Sequence, residues 1–138
     1  IYDGPGDPND VPSVVKLIQE LQGKLPILGV ELGHQLVCLA NGARVVKMDC
    51  GHHGCNHPIR NVDTGKIEFA PQSHNYMLDA ESVDGTTLRI THVNVLDSTP
   101  EACESTVYPT LSAQFDLSGD HPLYEKFLKL MEEGKRNA

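Results

Sequence analysis

One carboxylate in this sequence lies where a tight turn would display it. Glu31 follows a short apolar segment at residues 26–30, is bracketed by Gly29 and Gly33, and precedes a second apolar segment at residues 35–40. This order is typical of a buried strand, a sharp turn and a helix, which together form a nucleophile elbow. The side chain in such a turn projects at the carboxyl end of the strand, near the free N–H groups of the helix start. Serine or cysteine would act there as a nucleophile, whereas Glu31 offers a carboxylate.

A second group of reactive side chains lies between positions 52 and 57 and offers metal ligands: His52, His53, Cys55 and His57. Two of the histidines are adjacent, and no second ligand pair follows at the spacing of a zinc finger. We therefore expect neither a metal site nor a cofactor. A metal-binding protein built on these four residues is an alternative.

Charge and composition argue against several kinds of partner. The 138 residues include 11 Lys and Arg against 19 Asp and Glu, a net charge of −8, so neither nucleic acid nor an anionic membrane is expected to bind. No apolar run approaches the roughly 20 residues of a membrane span, and the first residues do not form a signal peptide. We expect a cytoplasmic protein. Its irregularly spaced cysteines favour free, mostly buried thiols over disulfides.

The elements that must position Glu31 alternate between helix and strand. A loop rich in glycine and proline at residues 3–8 precedes a one-sided helix at residues 11–21, and the strand at residues 26–30 follows. This alternation predicts an α/β fold with a mostly parallel central sheet flanked by helices. Glu31 would then lie at the carboxyl ends of the strands, where such sheets bind ligands.

The second half of the chain predicts an antiparallel extension. An irregular loop at residues 51–58 leads into a hairpin of residues 58–62 and 66–70 with its turn between them. A closing helix ends near Gly134. Further strands are predicted at residues 43–48, 88–93, 101–105 and 110–115.

Taken together, these motifs resemble the class-I, triad-type glutamine amidotransferase domain, and within that family the small-subunit branch of carbamoyl-phosphate synthetase. Residues 4–8 match the glycine loop, residues 28–35 the elbow, and residues 51–58 a loop of the carbamoyl-phosphate branch. Residues 72–76 correspond to a glutamine-contacting turn. The resemblance implies a flavodoxin-like fold in one domain over residues 1–138, without the first strand–helix units of the family. It also makes the histidine-rich segment a structural loop.

The resemblance places residues of another type at the three catalytic positions. The family's mechanism uses a cysteine thiolate, a histidine base and a carboxylate that orients the histidine, whereas this chain has Glu31, Asp116 and Ser118 there. His121 lies nearby, but we do not expect it to replace the base. A carboxylate that attacked an amide would form an anhydride and would need an acid to protonate the departing ammonia. We therefore expect a degenerate domain without glutaminase activity, in a structural, regulatory or partner-binding role.

Two carboxylates that face each other in one site repel. We therefore expect a raised pKa for either Glu31 or Asp116. At the elbow, the Glu31 carboxylate would also occupy the place built for an oxyanion and exclude glutamine.

Parts of the family's binding apparatus persist. By resemblance, glycine-loop backbone would contact L-glutamine, the Leu32 N–H would serve an oxyanion hole, and Gln35 would reach the amino-acid end of the substrate. The full set of implied substrate-binding residues is Gly4, Gly6, Leu32, Gln35, Ser73, Asn75 and Tyr76. The implied macromolecular partner is a large synthetase subunit or a second copy of the chain.

Two active alternatives stay open. One is a working glutaminase subunit that supplies ammonia for carbamoyl phosphate in pyrimidine or arginine synthesis. The other is a hydrolase in which Glu31 and Asp116 act as an acid and base pair.

Overall fold

A computed structural model describes residues 1–136 and has an α/β architecture around one curled, six-stranded sheet. Its helices and strands follow the chain as α1 (Pro12–Leu21), β1 (Ile27–Val30), α2 (Leu32–Ala40), β2 (Val45–Asn61), β3 (Ile67–Leu78), β4 (Leu88–Asn94), β5 (Pro100–Ser105), β6 (Thr110–Ala113) and α3 (Pro122–Arg136). Short 3₁₀ turns at Pro8–Asp10 and Ala80–Val83 precede α1 and β4. The strand order across the sheet is β1-β6-β5-β4-β2-β3.

The α/β class is confirmed, but the prediction of a mostly parallel sheet is corrected. Of the strand pairs in the described part of the chain, β1 and β6 are parallel, with Val30 opposite Ala113. The other four neighbouring pairs are antiparallel. The reason is connectivity. Only the β1–α2 unit is followed by a return to a parallel neighbour, whereas β2 to β6 follow one another through short connections that reverse the chain.

The middle of the chain also differs from expectation. Residues 51–58, predicted as an irregular loop, lie within β2, and residues 72–76, predicted as a turn, lie within β3. The two strands extend the predicted hairpin in both directions. Register shifts on either side of the paired residues 52–54 interrupt the ladder. Such bulges accommodate the glycines and prolines that hide this strand in the sequence.

The four cysteines are free, as predicted, but only half of them are buried. Cys38 and Cys103 lie in the interior, whereas Cys50 and Cys55 are exposed on β2. The predicted strands β4, β5 and β6 are confirmed, and α3 continues through Gly134 to Arg136. Within residues 1–136, no helix is both long and apolar enough to cross a membrane.

Two glycines allow α2 to pack directly against β1. A Cβ atom at Gly29 would lie 2.4 Å from the carbonyl oxygen of Gly33, and a Cβ atom at Gly33 would lie 2.2 Å from the carbonyl oxygen of Ile1. Backbone hydrogen bonds hold Ile1 in this place: its amino group donates to the Leu28 carbonyl (2.9 Å), and its own carbonyl accepts from the Val30 N–H (2.9 Å). The backbone therefore has no room for a methyl group at either glycine.

Gly29→Ala should lower the free energy of unfolding by at least about 2 kcal/mol, because the added methyl group meets backbone that can move only by breaking the β1–α2 packing. Gly119→Ala is the matched control, since nothing lies within 4 Å of its Cβ position. We expect the control to stay within about 0.5 kcal/mol of the parent chain. Urea unfolding followed by circular dichroism measures both, and equal effects would contradict the packing argument.

Candidate functional site

Glu31 occupies the sharp turn between β1 and α2 with φ 57° and ψ −115°. A positive φ is costly for a residue with a side chain, by about 1–3 kcal/mol, and such residues cluster at functional sites. Hydrogen bonds fix the backbone on both sides: the Glu31 N–H donates to the Ala113 carbonyl (2.8 Å), and its carbonyl accepts from the His34 N–H (3.1 Å). The strained turn that the glycine spacing predicts is therefore present.

Glu31 faces a cavity of about 260 Å³ at the carboxyl end of β1. The cavity wall combines the glycine loop, the start of α2 and part of β3. It includes all seven residues that the sequence predicts as substrate contacts, Gly4, Gly6, Leu32, Gln35, Ser73, Asn75 and Tyr76. The fold thus brings together residues that are far apart in the sequence, and their role in binding stays a prediction.

Gln35 ties the elements of the cavity floor to one another. Its side chain is almost fully buried, and its amide nitrogen donates to Gln114 Oε1 (2.9 Å) and to the Tyr76 carbonyl (3.3 Å). These bonds link α2 to the residue after β6 and to β3. The two donor contacts therefore serve the protein itself, and they fix the floor against which a ligand would rest.

Several residues of the cavity wall are absent from the predicted site: Asp3, Pro5, Asp7, His53, His74 and Gln114. His53 lies on β2 and contacts two side chains of β3, Ser73 Oγ at 3.2 Å and Asn75 Oδ1 at 3.0 Å. Only the register between β2 and β3 places His53 there. The sequence offers a weak signal for it, the alternation of side chains along the two strands.

The other two positions of the expected triad lie outside the cavity wall. Asp116 is exposed, and its carboxylate accepts a hydrogen bond from the Tyr2 hydroxyl (2.7 Å). Ser118 is also exposed and donates its hydroxyl hydrogen to Asp120 Oδ1 (2.9 Å). Asp116 is nevertheless near enough for its charge to act on Glu31.

Nearby histidines are engaged elsewhere. His121 Nε2 lies 2.6 Å from Glu68 Oε1, beside a different cavity. His34 is fully buried, with Nδ1 2.8 Å from Ser112 Oγ. Among residues 1–136, no imidazole is hydrogen-bonded to the Glu31 side chain. His121 therefore does not stand in for a base at the elbow, as the sequence analysis expects.

The cavity is negatively charged. Asp3, Asp7 and Glu31 line it, and its described wall contains no lysine or arginine. Partial burial raises the pKa of Glu31, and the charges of Asp3 and Asp116 raise it further. The predicted repulsion with Asp116 is thus one cause, but loss of solvation is the larger one. Such a cavity favours positively charged groups of a ligand over carboxylates.

Comparison with known proteins finds similarity over most of the chain. A family model described as glutamine amidotransferase class-I matches residues 1–122. The carbamoyl phosphate synthase small chain of Listeria monocytogenes is 39% identical over 147 residues, covering 100% of this chain and 40% of that protein. The corresponding small chain of Bacillus anthracis is 39% identical over 144 residues, again with 100% and 40% covered. The chain thus spans about two fifths of the length of these relatives.

Solved structures share the fold at low sequence identity. The structure of a putative GMP synthase subunit from Thermoplasma acidophilum has a TM-score of 0.79 and 17% identity, covering 98% of this chain and 72% of its own. A glutamine amidotransferase from Thermotoga maritima has a TM-score of 0.69 and 14% identity, covering 97% and 61%.

Glu31→Gln should stabilise the protein at neutral pH. Because the folded state raises the pKa of Glu31, ionisation costs stability as pH rises, and a neutral amide avoids that cost. We expect the melting temperature at pH 7–8 to rise by about 1–3 °C, a small effect because the side chain is partly solvated. The gain should vanish below the ordinary carboxyl pKa of 4.5, where Glu31 is protonated in both states.

Thermal scans from pH 3.5 to 8 test this expectation. Glu20→Gln is the control, because Glu20 is an exposed carboxylate on α1. A gain in melting temperature that does not depend on pH, or one that Glu20→Gln reproduces, would contradict the assignment.

Proposed function

The chain belongs to the class-I glutamine amidotransferase family, and from this premise we propose that it is an amidotransferase domain without glutaminase activity. Its role would be structural, regulatory or partner-binding. The observation that carries the proposal is the carboxylate of Glu31 in the strained turn where the family mechanism needs a thiolate. Residues 1–138 are taken as one amidotransferase domain similar to part of the carbamoyl phosphate synthase small chain.

The chemistry around Glu31 supports loss of the covalent route. Attack of its carboxylate on an amide would form an anhydride, and ammonia could leave only with a proton from a nearby acid. The nearest triad position, Asp116, accepts a hydrogen bond from Tyr2. This contact raises the pKa of Tyr2, so the phenol holds its proton more firmly. Neither group is suited to protonate a leaving amine at neutral pH.

The position of Glu31 also opposes binding of glutamine in the reactive orientation. Glu31 directly precedes α2, whose first N–H groups have no acceptor within the helix and attract negative charge. In a working enzyme such donors stabilise the oxyanion of the reacting carbonyl. Here a carboxylate of the protein is itself beside them. It therefore competes with the substrate carbonyl for these donors.

The intact cavity supports a retained binding role. Its wall keeps the backbone of the glycine loop together with polar side chains of β3, and its negative charge suits the amino group of an amino acid. L-Glutamine is accordingly the small-molecule ligand we propose to test. The names of the relatives describe the small chain of a synthase, so a large synthetase subunit is the proposed protein partner, and a second copy of this chain is the other.

A hydrolase that uses Glu31 and Asp116 is the second candidate. The observation in its favour is the raised pKa of Glu31, since a carboxylic acid that keeps its proton longer than usual can act as a general acid. This candidate requires a bell-shaped dependence of rate on pH for some amide or ester, and loss of that activity in both Glu31→Gln and Asp116→Asn.

A glutaminase assay tests the main proposal. We expect the chain to release ammonia from L-glutamine no faster than buffer does, and Glu31→Ala to be equally inactive. Release of glutamate that disappears in Glu31→Ala would overturn the proposal. The combined variant Glu31→Cys, Asp116→His and Ser118→Glu restores the residue types of the triad, and activity in that variant would locate the defect in these side chains.

Binding of glutamine should respond to the same residue. Removing the carboxylate in Glu31→Ala should tighten binding of L-glutamine by about tenfold, equivalent to about 1.4 kcal/mol, because the competing charge is lost. Calorimetric titration measures this change, with Glu20→Ala as the control. Weaker binding by Glu31→Ala would contradict the competition argument.

A further inference from the structure

A buried cluster of two histidines and one glutamate joins three strands beneath the cavity. His52 lies on β2, His74 on β3 and Glu101 on β5, with 7%, 8% and 0% of their surfaces exposed. One nitrogen of each imidazole and one carboxylate oxygen all lie within 4.8 Å of one another. None of these three side chains takes part in the chemistry proposed above, although His74 also borders the cavity.

The spacing of the cluster matches that of metal ligands. His52 Nδ1 lies 3.4 Å from Glu101 Oε1. In a tetrahedral zinc site, bonds of about 2.0–2.1 Å hold neighbouring ligand atoms about 3.3 Å apart. Gln72 supplies another oxygen, since its Oε1 is 2.8 Å from His74 Nε2 and 3.0 Å from His52 Nδ1. Four candidate ligand atoms therefore converge from three strands.

The outer nitrogen of each histidine already has an acceptor. His52 Nε2 lies 2.6 Å from Asp97 Oδ2, and His74 Nδ1 lies 2.8 Å from the Tyr76 carbonyl. When the outer nitrogen of a neutral imidazole donates its hydrogen, the inner nitrogen presents a lone pair. Metal-bound histidines typically have such a carboxylate or carbonyl partner on the nitrogen that does not bind the metal. The surroundings thus favour the tautomers that metal binding requires.

Polar atoms inside the cluster lack partners within the described chain. Glu101 Oε2 and Gln72 Nε2 are buried without a hydrogen bond. With lone pairs on both inner nitrogens, Gln72 Oε1 would face two acceptors at hydrogen-bond distance, and the buried carboxylate would be only partly satisfied. Buried, unpaired polar groups and charges are costly. One divalent cation at the centre would satisfy the nitrogens and both kinds of oxygen together.

We propose that His52, His74 and Glu101 bind one Zn²⁺, with Gln72 Oε1 as a fourth ligand. Two imidazoles and two oxygens suit a borderline ion, and four ligands from buried side chains suit a closed structural site rather than a catalytic one. The ion would fasten the β2–β3 hairpin to β5. Because Ser73 and Asn75 flank His74 on β3, the same bond would steady the cavity wall.

This site differs from the four-residue cluster considered in the sequence. His53 faces Ser73 and Asn75, and Cys55 is exposed. His52 alone is shared between the two sets. The metal-free arrangement is a buried ion pair, in which contacts with Glu101 and Asp97 raise the pKa of His52 to about 9. The experiment must therefore separate a zinc site from this ion pair.

The test uses the chain purified without an affinity tag, stripped of metal and titrated with Co²⁺ and then Zn²⁺. We expect one equivalent of Co²⁺ to bind with the visible ligand-field bands of a tetrahedral ion, and Zn²⁺ to displace it. Zinc should also raise the melting temperature. Glu101→Gln should weaken zinc binding by at least about 100-fold, and Asp97→Asn, which keeps every ligand, by about 10- to 100-fold.

His53→Asn is the matched control, because it removes the neighbouring histidine of the same strand without touching the cluster. It should bind zinc as tightly as the parent chain, and circular dichroism establishes that each variant is folded. Substoichiometric zinc in the parent chain would overturn the proposal in favour of the ion pair. Unchanged affinity in Glu101→Gln, or a loss in His53→Asn equal to that in Glu101→Gln, would overturn it as well. None of these measurements depends on catalytic activity or on the proposed function.

Discussion

The close approach of three backbone segments at the start of the chain determines the rest of the site. Gly29 of β1, Gly33 of α2 and Ile1 lie so near one another that a single methyl group cannot be inserted. This contact leaves the chain only a very short path from strand to helix, and Glu31 takes the positive φ that the path requires. The direction of α2, the floor made by Gln35 and the opening of the cavity all follow from that turn.

The turn displays a side chain, but it does not decide what that side chain does. The same geometry that exposes a nucleophile also places it beside the free N–H groups of a helix start. With Glu31 in this place, a position suited to charge that develops during a reaction carries a charge of its own. The neighbouring Asp3 and Asp116 increase the cost of that charge. The fold and the reaction are therefore separable properties of this family's architecture.

The sequence predicts best where one residue type has one physical reason. The glycines at 29 and 33 indicate the elbow because nothing else fits, and the apolar pattern of α1 and of strands β4 to β6 indicates their burial. The full length of β2 and β3 is hidden, because glycine and proline interrupt the pattern and the bulges that absorb them leave no signal. Contacts made only through strand register, such as that of His52 with Glu101, are hidden as well. The positions equivalent to the triad come from the family resemblance rather than from physical reasoning.

Strand β3 carries two sets of side chains in alternation. Gln72 and His74 point into the interior, whereas Ser73 and Asn75 lie on the exposed face beside His53. Point substitutions can therefore change one set and leave the other in place. The insertion or deletion of one residue would exchange the two faces at once and place serine and asparagine in the buried cluster. During evolution, this strand is accordingly free to vary in composition along either face but is held to a fixed length.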